Sequence, residues 1–329
     1  MKAWEVQKGS TGFEGLKRVE KAKPAPGARQ VLVRMRAASL NYRDIAIVRG
    51  KYMGGGLPRD TIPLSDGAGE VEAVGEGVTE LAPGDRVVAT FTQGMPPAAL
   101  GSPLDGTLTE YAVFAPEGLL RVPAHLSFEE AATLPCAGVT AWNALTEGRV
   151  LRPGETVLTL GTGGVSIFAL QLAKAAGARV IITSSSDDKL ERAKALGADE
   201  TINYQRHPDW EKQVQELTGG QGADKIVELG GAGTLPHSYQ AVGRGGEIGL
   251  IGVITRPEGD TSPMALMFKG ATLRGIFVGG RPLFEGLNRA VTVNRIKPVI
   301  DKVFDFDEAA EALSYMKEAK HFGKLVIRI

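Results

Sequence analysis

A glycine-rich run between an apolar strand and a helix is the part of the sequence that most directly suggests chemistry. Residues 158–160 form the end of the strand, the run follows at 161–165, and Ser166 comes next in the helix. Glycines allow close backbone approach, and a helix N-terminus offers free N–H groups and a positive dipole end to a phosphate. The spacing is a variant of the dinucleotide fingerprint G-x-G-x-x-G. We therefore predict a pyrophosphate-binding turn with these contacts: Gly161, Thr162, Gly163, Gly164 and Val165.

The second strand of this segment ends in hydroxyl side chains, Ser184 and Ser185. An NAD-binding unit usually has Asp or Glu here, about 20 residues after the glycines, to bind the ribose hydroxyls. Hydroxyl groups without a carboxylate favour a 2′-phosphate, and Lys189 would add positive charge, although it could also be a solvated helix residue. Asp187 and Asp188 are interpreted as residues of a helix N-terminus, where negative charge is favourable. The sequence therefore predicts NADPH as the cofactor.

The elements around these motifs alternate between strand and helix. Strands are predicted at 156–160, 179–183, 201–204, 226–229, 247–251 and 272–277, and helices at 165–176, 187–196 and 210–218. Such alternation is typical of an α/β fold with a doubly wound parallel sheet covered by helices on both faces. A capping-box pattern at Ser127 and Glu130 indicates the first helix after the change of pattern.

The preceding part of the chain is predicted to be β-rich. Short strands bounded by turns are expected at 31–37, 69–74, 86–89 and 110–114, which suggests a barrel-like or irregular antiparallel domain. The last stretch contributes a helix at 306–319 and a strand at 324–329.

Composition excludes several classes of partner and site. Acidic and basic side chains balance at 38 each, without a basic stripe, so we expect no nucleic-acid partner. No apolar run approaches the roughly 20 residues of a membrane span, and the N-terminus does not resemble a signal peptide, so we expect a soluble cytoplasmic protein. The single cysteine, Cys136, excludes an intrachain disulfide and any zinc site that needs two cysteines of this chain.

The whole chain resembles the medium-chain dehydrogenase/reductase superfamily, and more narrowly its zinc-independent quinone oxidoreductases and enoyl reductases. The glycine turn and five other stretches carry the resemblance: 37–44, 67–71, 83–87, 134–142 and 322–326. It implies a GroES-like catalytic domain at 1–124, rejoined by 276–329, and a Rossmann domain at 125–275, with the active site in the cleft between them. It also implies a homodimer paired through the last Rossmann strand, at about 272–277.

The resemblance also bears on metal. Zinc alcohol dehydrogenases of the superfamily bind catalytic zinc through Cys, His and Cys, and the matching positions here are Asn41, Ser65 and Cys136. One thiolate with an amide and a hydroxyl does not make the usual tetrahedral zinc site. The four-cysteine structural zinc lobe is missing as well, so we predict no metal.

Two residues are predicted to act on the substrate. By resemblance, Asn41 points toward the nicotinamide and the substrate, and Tyr52 matches a tyrosine that donates a hydrogen bond or proton in enoyl reductases. The alternatives are a turn residue for Asn41 and a loop aromatic that seals the cleft for Tyr52. Tyr42, Asp44 and Asp66 are interpreted mainly as packing or structural residues.

Further cofactor contacts follow from the same resemblance. Thr140 would meet the nicotinamide side, although a helical threonine can also bond its own backbone. Tyr204 would lie near the adenosine phosphate, and Lys324 would contact a phosphate. Four residues after successive strands would line the edge of the cofactor: Gly252, Val253, Phe277 and Val278.

These observations predict an NADPH-dependent reductase that transfers a hydride, without zinc, to a quinone or an α,β-unsaturated carbonyl. The cofactor would supply the hydride, and the protein would position it and stabilise the developing charge. A zinc-free alcohol dehydrogenase or carbonyl reductase remains an alternative, as does a non-catalytic NADPH-binding protein. In each enzymatic case the partner is a small molecule: a carbonyl compound, an enone or a quinone.

Overall fold

The chain forms two compact units. The structure, a computed structural model, describes residues 1–52, 55–252, 255 and 262–329. Unit 1 comprises Met1–Ala137 and Gly280–Ile329, and unit 2 comprises Gly138–Gly279.

The helices and strands follow one another in both units without long gaps. The elements up to residue 137 are β1 (Lys2–Val6), β2 (Leu16–Glu20), β3 (Val31–Ser39), α1 (Tyr42–Val48), β4 (Asp66–Val74), β5 (Arg86–Ala89), β6 (Thr92–Gln93), β7 (Ala98–Ala99), β8 (Tyr111–Phe114), β9 (Leu119–Arg121) and α2 (Phe128–Ala132). Unit 2 contains α3 (Val139–Thr146), β10 (Thr156–Thr159), α4 (Gly164–Ala175), β11 (Arg179–Ser184), α5 (Asp187–Ala195), β12 (Glu200–Asn203), α6 (Trp210–Leu217), β13 (Ala223–Glu228), α7 (Leu235–Ala241), β14 (Val242–Leu250), α8 (Met264–Lys269) and β15 (Thr272–Gly275). The chain then returns to unit 1 with α9 (Arg281–Val293), β16 (Ile300–Asp305), α10 (Ala309–Lys317) and β17 (Lys324–Arg328).

Unit 1 is organised around one sheet that contains strands from both parts of its sequence. Its order is β16-β17-β3-β4-β5-β9, and β8 also pairs with β3. Strand β17 runs parallel to β16 and antiparallel to β3, with Val326 opposite Ser39. This register brings the start of β17 next to the residues that follow β3. The β-rich character predicted for this part of the chain is confirmed.

Unit 2 is the predicted doubly wound α/β domain. Its strands are all parallel, in the order β12-β11-β10-β13-β14-β15. The strand order reverses between β10 and β13, and ligands of such sheets bind at this switch point, outside the carboxyl ends of the strands. Four neighbouring strands each contribute a fully buried aliphatic side chain to the core beneath: Leu158, Ile181, Ile226 and Ile248.

The units divide later in the sequence than the domain limits of 125 and 275 proposed above. Helix α2 packs on β3, β4 and β17, so the segment before residue 138 belongs with unit 1. The capping box that begins this helix is present: Glu130 N donates to Ser127 Oγ at 3.1 Å, and Ser127 N donates to Glu130 Oε2 at 2.7 Å. Within the described ranges, no helix is both long enough and apolar enough to cross a bilayer.

Candidate functional site

The glycine turn of unit 2 has the shape of a phosphate cradle. Gly161 has φ of +74°, and its N–H lies 3.2 Å from Thr183 Oγ1 as a donor. A Cβ atom built on Gly161 or Gly163 would meet no atom within 4 Å, so the space beside the turn is open. Helix α4 begins after Gly163 with no side-chain cap, which leaves its first N–H groups for a ligand. These features fit the pyrophosphate of a dinucleotide, and the predicted contacts at 161–165 all lie in this one turn.

Ser166 shows why the variant fingerprint is tolerated. Its side chain is fully buried, and its hydroxyl donates to Leu160 O at 2.7 Å. The small side chain therefore lets α4 pack closely on the end of β10, which is the role of the last glycine in the usual motif.

The predicted adenosine side lies at the ends of β11 and β12. Ser184 is the buried last residue of β11, and Ser185 is exposed beyond it. Tyr204 N donates to Ser184 O at 3.1 Å, so the half-exposed tyrosine lies beside the same strand end. Lys189 lies in the first turn of α5, where its N–H donates to Ser186 Oγ at 3.4 Å.

The acidic residues after β11 belong to the helix N-terminus, as the sequence suggested. Asp187 Oδ1 accepts a hydrogen bond from Asn203 Nδ2 at 2.7 Å, and its other oxygen pairs with Arg206. This carboxylate is therefore committed within unit 2 instead of standing at the strand tip. Arg206 is a cation at this edge that sequence reasoning missed.

The residues predicted for the other half of the cofactor follow β13, β14 and β15. Gly252 approaches the preceding strand end so closely that a Cβ atom would lie 1.6 Å from Leu229 O. Phe277 is exposed, and Val278 is buried with φ of +52°. Thr140 is buried in α3. Val253 lies outside the described residues.

In unit 1, Asn41 lies at the start of α1 in a buried polar cluster. Its backbone N–H donates to Asp44 Oδ2 at 2.7 Å, and Lys324 Nζ donates to its Oδ1 at 2.6 Å. Because an ammonium group only donates, the amide oxygen must face Lys324 and Nδ2 must face away. Asn41 is 8% exposed, and Nδ2 has no hydrogen-bond partner among the residues that the structure describes. The cluster thus presents a buried N–H donor to an external acceptor.

Asp66 supplies the negative charge of this cluster. The side chain is fully buried; Ser65 Oγ donates to Oδ1 at 2.7 Å, and Cys136 N donates to Oδ2 at 3.2 Å. Burial raises the pKa of Asp66, and the nearby Lys324 ammonium and Asn41 amide work in the opposite direction. Asn41 Nδ2 is near this carboxylate without forming a hydrogen bond to it.

The position of Lys324 corrects the prediction that it contacts a cofactor phosphate. The antiparallel register of β17 with β3 places its ammonium beside Asn41, and the side chain is 4% exposed. It also donates to Leu40 O, so two of its three N–H bonds are used inside unit 1. The spacing of Asn41 and Asp44, typical of a helix cap, was the available signal for the start of this cluster.

The donor set at the matching zinc positions does not fit a zinc ion. The amide oxygen of Asn41 already faces the Lys324 ammonium, and the Ser65 hydroxyl donates to Asp66. Burial raises the pKa of the Cys136 thiol well above its usual value, which disfavours the thiolate that zinc requires. Across the described ranges there is no group of three or more His, Cys, Asp or Glu side chains suited to a metal.

Tyr52 is linked to the same cluster through Arg43. The Arg43 guanidinium donates from Nε to Tyr52 Oη at 3.2 Å, and its carbon lies 4.7 Å from the Tyr52 ring centroid and 4.9 Å from that of Phe91. Its Nη1 is 3.8 Å from Asp44 Oδ1. Because the phenol oxygen accepts from Arg43, its own O–H remains to donate elsewhere. Sequence reasoning missed Arg43.

A cavity of about 260 Å³ lies beside Tyr52 in unit 1. Its described lining is mostly apolar: Ile47, Tyr52, Gly55, Gly56, Leu57, Ser102 and Pro103. A small organic molecule is the kind of ligand that such a lining accepts.

Known proteins resemble the chain over its full length. Two family models match, the alcohol dehydrogenase GroES-like domain over residues 27–124 and the zinc-binding dehydrogenase over residues 164–292. The chain is 44% identical to the zinc-type alcohol dehydrogenase-like protein C1773.06c of Schizosaccharomyces pombe, with 97% of this chain and 96% of that protein covered. It is 40% identical to a quinone oxidoreductase of Pseudomonas aeruginosa (66% and 63% covered) and 32% identical to 2-methylene-furan-3-one reductase of Solanum lycopersicum (99% and 79%).

Solved structures agree with this assignment of the fold. A crystal structure of an NAD-dependent alcohol dehydrogenase is 37% identical, covers all of both chains and superposes with a TM-score of 0.94. A mycobacterial protein solved in complex with NADPH is 27% identical, also over all of both chains, with a TM-score of 0.83.

Proposed function

The chain belongs to the medium-chain dehydrogenase/reductase superfamily and is an oxidoreductase of that type, and we propose that it reduces quinones or α,β-unsaturated carbonyl compounds with NADPH and without zinc. The observation that carries this proposal is the buried, unpartnered Nδ2 of Asn41, oriented by Lys324. The unsuitable zinc donor set supports the same proposal, since the usual metal electrophile would need a replacement.

The dinucleotide would be held by unit 2. When bound, it supplies a hydride to an electron-poor carbon of the substrate. The open turn at 161–165 would bind its pyrophosphate through backbone N–H groups, and Ser184, Ser185, Lys189 and Tyr204 would surround the 2′-phosphate. The committed position of Asp187 supports NADPH, because no carboxylate stands at the end of β11 to repel that phosphate.

Asn41 would stabilise the oxygen that gains charge during the reaction. Hydride addition to the β-carbon of an enone, or to a quinone, leaves an enolate or phenolate oxygen. A preorganised amide donor aimed at such an oxygen is worth about 10²–10³ in rate at comparable sites. The Lys324 ammonium, hydrogen-bonded to the amide oxygen, makes the N–H a stronger donor and adds favourable charge.

Tyr52 would complete the reaction by donating a proton. Its hydroxyl is held by Arg43 in the orientation that leaves O–H free, and it borders the cavity of unit 1. Proton donation by a positioned side chain typically contributes about 10²–10⁴ in rate. We therefore assign Asn41 to the developing charge and Tyr52 to the proton.

A carbonyl reductase is the second candidate. Similar proteins include an NAD-dependent alcohol dehydrogenase, and the donor cluster around Asn41 would stabilise an alkoxide as well as an enolate. The two candidates differ in substrate, so turnover separates them.

The test is a reductase assay on the purified full chain with chelator present. NADPH oxidation would be followed with 1,4-benzoquinone, an aliphatic enone, a 2-enoyl thioester and an aldehyde. We expect turnover of the quinone or the enone. In Asn41→Ala the kcat/KM should fall about 100-fold while the Kd for NADPH changes less than about twofold. Tyr52→Phe should lose about 100-fold in rate, and Tyr42→Phe, half-exposed at the start of α1, is the matched control.

Each other outcome has a defined meaning. Activity that chelator abolishes and zinc restores would refute zinc independence. Turnover of the aldehyde alone would favour the carbonyl reductase. Tight NADPH binding without turnover of any of the four compounds would favour the non-catalytic reading. Unchanged kcat/KM in Asn41→Ala would remove Asn41 from the site.

A further inference from the structure

Val278 has a backbone conformation that needs an explanation. It follows β15, is 8% exposed and has φ of +52°. A β-branched side chain disfavours this left-handed region strongly, and such conformations persist only where the surroundings fix them. The contacts of Val278 should therefore show what holds it.

The Val278 carbonyl is held by Asn143, which is itself held by Arg274. Asn143 Nδ2 donates to Val278 O at 2.7 Å. Arg274 donates from Nη1 to Asn143 Oδ1 and from Nη2 to Asn143 O, both at 2.9 Å. Because a guanidinium only donates, this fork fixes which end of the amide faces Val278.

Arg274 is fixed in turn by two buried charges. Glu247 Oε1 accepts from Arg274 Nε at 3.1 Å and from Lys225 Nζ at 2.9 Å. The side chains of Lys225 and Glu247 are each 2% exposed. Gly148 makes room for the carboxylate, since a Cβ atom there would lie 2.3 Å from Glu247 Oε2. Lys225, Glu247, Arg274 and Asn143 are called the Glu247 network below.

Stability alone is a poor reason for such a network. Buried ion pairs often contribute no more than well-packed apolar residues of the same volume, because desolvation offsets the attraction. The network joins β13, β14 and β15 to α3 and ends on the Val278 carbonyl. Geometry is therefore the property that it supplies.

The position of Val278 indicates what this geometry serves. It lies beyond the carboxyl end of β15, and β11, which borders the adenosine half, lies across the switch point. In a doubly wound sheet the second mononucleotide binds on the β13–β15 side, so Val278 borders the nicotinamide half. Thr140, a predicted contact of the same half, lies one turn before Asn143 in α3.

We propose that Asn143 and Arg274, anchored by Lys225 and Glu247, are positioning residues that hold the Val278 segment ready for the nicotinamide half of the cofactor. The inference rests on the proposed function, because it requires a bound nicotinamide dinucleotide. It differs from it in assigning a role to residues that touch neither cofactor nor substrate. Its measurable consequence is a loss of affinity confined to one half of the cofactor.

The first test compares wild type and Asn143→Leu by titration of the full chain with NADPH, NADH, 2′,5′-ADP and ADP. Without the Asn143 donor, Val278 relaxes to negative φ, and only a fraction of molecules keeps the competent segment. If that fraction is about one in ten, the Kd for the preferred dinucleotide rises about tenfold. The Kd for the adenosine fragment, 2′,5′-ADP or ADP, should stay within about twofold, because it does not reach Val278.

A rescue variant separates positioning from general damage. Glycine adopts positive φ without strain, so Val278→Gly in the Asn143→Leu background should recover most of the lost dinucleotide affinity. Val278→Gly alone reports the contribution of the valine side chain. Arg274→Lys, which keeps the charge but loses the fork, should weaken dinucleotide binding in the same direction as Asn143→Leu.

The outcomes are distinguishable. Wild-type binding with equal dinucleotide affinity in Asn143→Leu and Arg274→Lys would overturn the inference and leave the proposed function intact. Equal losses for dinucleotide and adenosine fragment, without rescue by Val278→Gly, would show a structural role only and would also overturn it. If Asn143→Leu does not fold, as judged by thermal unfolding, Arg274→Lys and its rescue decide. A wild-type chain that binds no dinucleotide would overturn both proposals.

Discussion

Two buried carboxyl groups determine how the cluster around Asn41 responds to pH. Burial raises the pKa of Asp44 to about 6, with Arg43 and the Asn41 N–H acting in the opposite direction. In the unfolded chain the value is near the ordinary 3.8. The folded chain therefore binds this proton more tightly. The stabilisation is complete below about pH 4 and is lost as the pH rises through about 6.

Asp44→Asn tests this consequence. The amide oxygen of Asn can still accept the hydrogen bond from Asn41 N, but it does not titrate. The free energy of unfolding of the variant, relative to wild type, should be higher at pH 8 than at pH 5 by about 1 kcal/mol. Urea unfolding at the two pH values measures the difference. A constant offset between the two proteins at both pH values would contradict the assignment.

At this scale, sequence could identify residue types but not their partners. Asn41 was proposed from its place in a motif, and the structure adds the orientation of its amide. Lys324 was expected at a phosphate because its contact with Asn41 spans 283 residues of sequence. That contact depends on the register of β17 against β3, and no local pattern encodes such a register. Buried charges such as Lys225 and Glu247 stayed hidden for the same reason, since each lies in an otherwise apolar strand.

At the scale of elements, the end of β11 should decide which dinucleotide is preferred. Asp in place of Ser184 would put a carboxylate where a 2′-phosphate is proposed to bind, and the repulsion should reduce kcat/KM with NADPH relative to NADH about 100-fold. Ser184→Ala, which removes one hydroxyl, should change the ratio less than about fivefold. Ser185→Asp, at an exposed position, provides a second variant with little risk to folding.

The measurement is the ratio of kcat/KM values for NADPH and NADH, with thermal unfolding of each variant as a check. An unchanged ratio in both Asp variants would place the phosphate elsewhere. A wild-type preference for NADH would also refute NADPH as the cofactor.

Elements with strong periodicity were predictable and short or interrupted ones were not. The strands and helices around the glycine turn were predicted within about two residues of their observed bounds. Helix α1 was missed because its seven residues barely exceed one turn and follow an apparent turn residue. Helix α9 was missed although Phe284, Leu287 and Val291 form one buried face, because Pro282 and Gly286 suggested a loop. The glycines of Val242–Gly246 similarly concealed the first half of β14.

At the scale of the whole molecule, one sheet edge of unit 2 is suited to a second copy of the chain. Strand β15 pairs with β14 on one side and, among the described residues, with no strand on the other. The adjoining helix α8 exposes Met264, Met267 and Phe268, the last of them 73% exposed. An open edge beside exposed apolar side chains is typical of an interface. We propose a homodimer formed through β15 and α8.

Phe268→Asp should weaken this dimer. The wild-type chain is expected to have twice its 34.8 kDa mass in light scattering after size exclusion, and the variant should shift toward the monomer on dilution. Val293→Asp, at an exposed apolar residue of α9 in unit 1, is the control and should keep the mass of the wild type. A monomeric wild type, or a variant that stays dimeric, would contradict the proposed interface.

The insertion of β17 between β16 and β3 has a consequence for biosynthesis. Unit 2 is continuous in sequence, so its sheet can be completed on the ribosome as soon as Gly279 has emerged. Unit 1 must wait, because β17 follows all of unit 2 and supplies the partner for one edge of β3. During translation that edge stays open, the state in which nascent chains mispair and recruit chaperones. The ammonium that orients Asn41 arrives with the same strand, so the catalytic cluster is assembled after the cofactor domain.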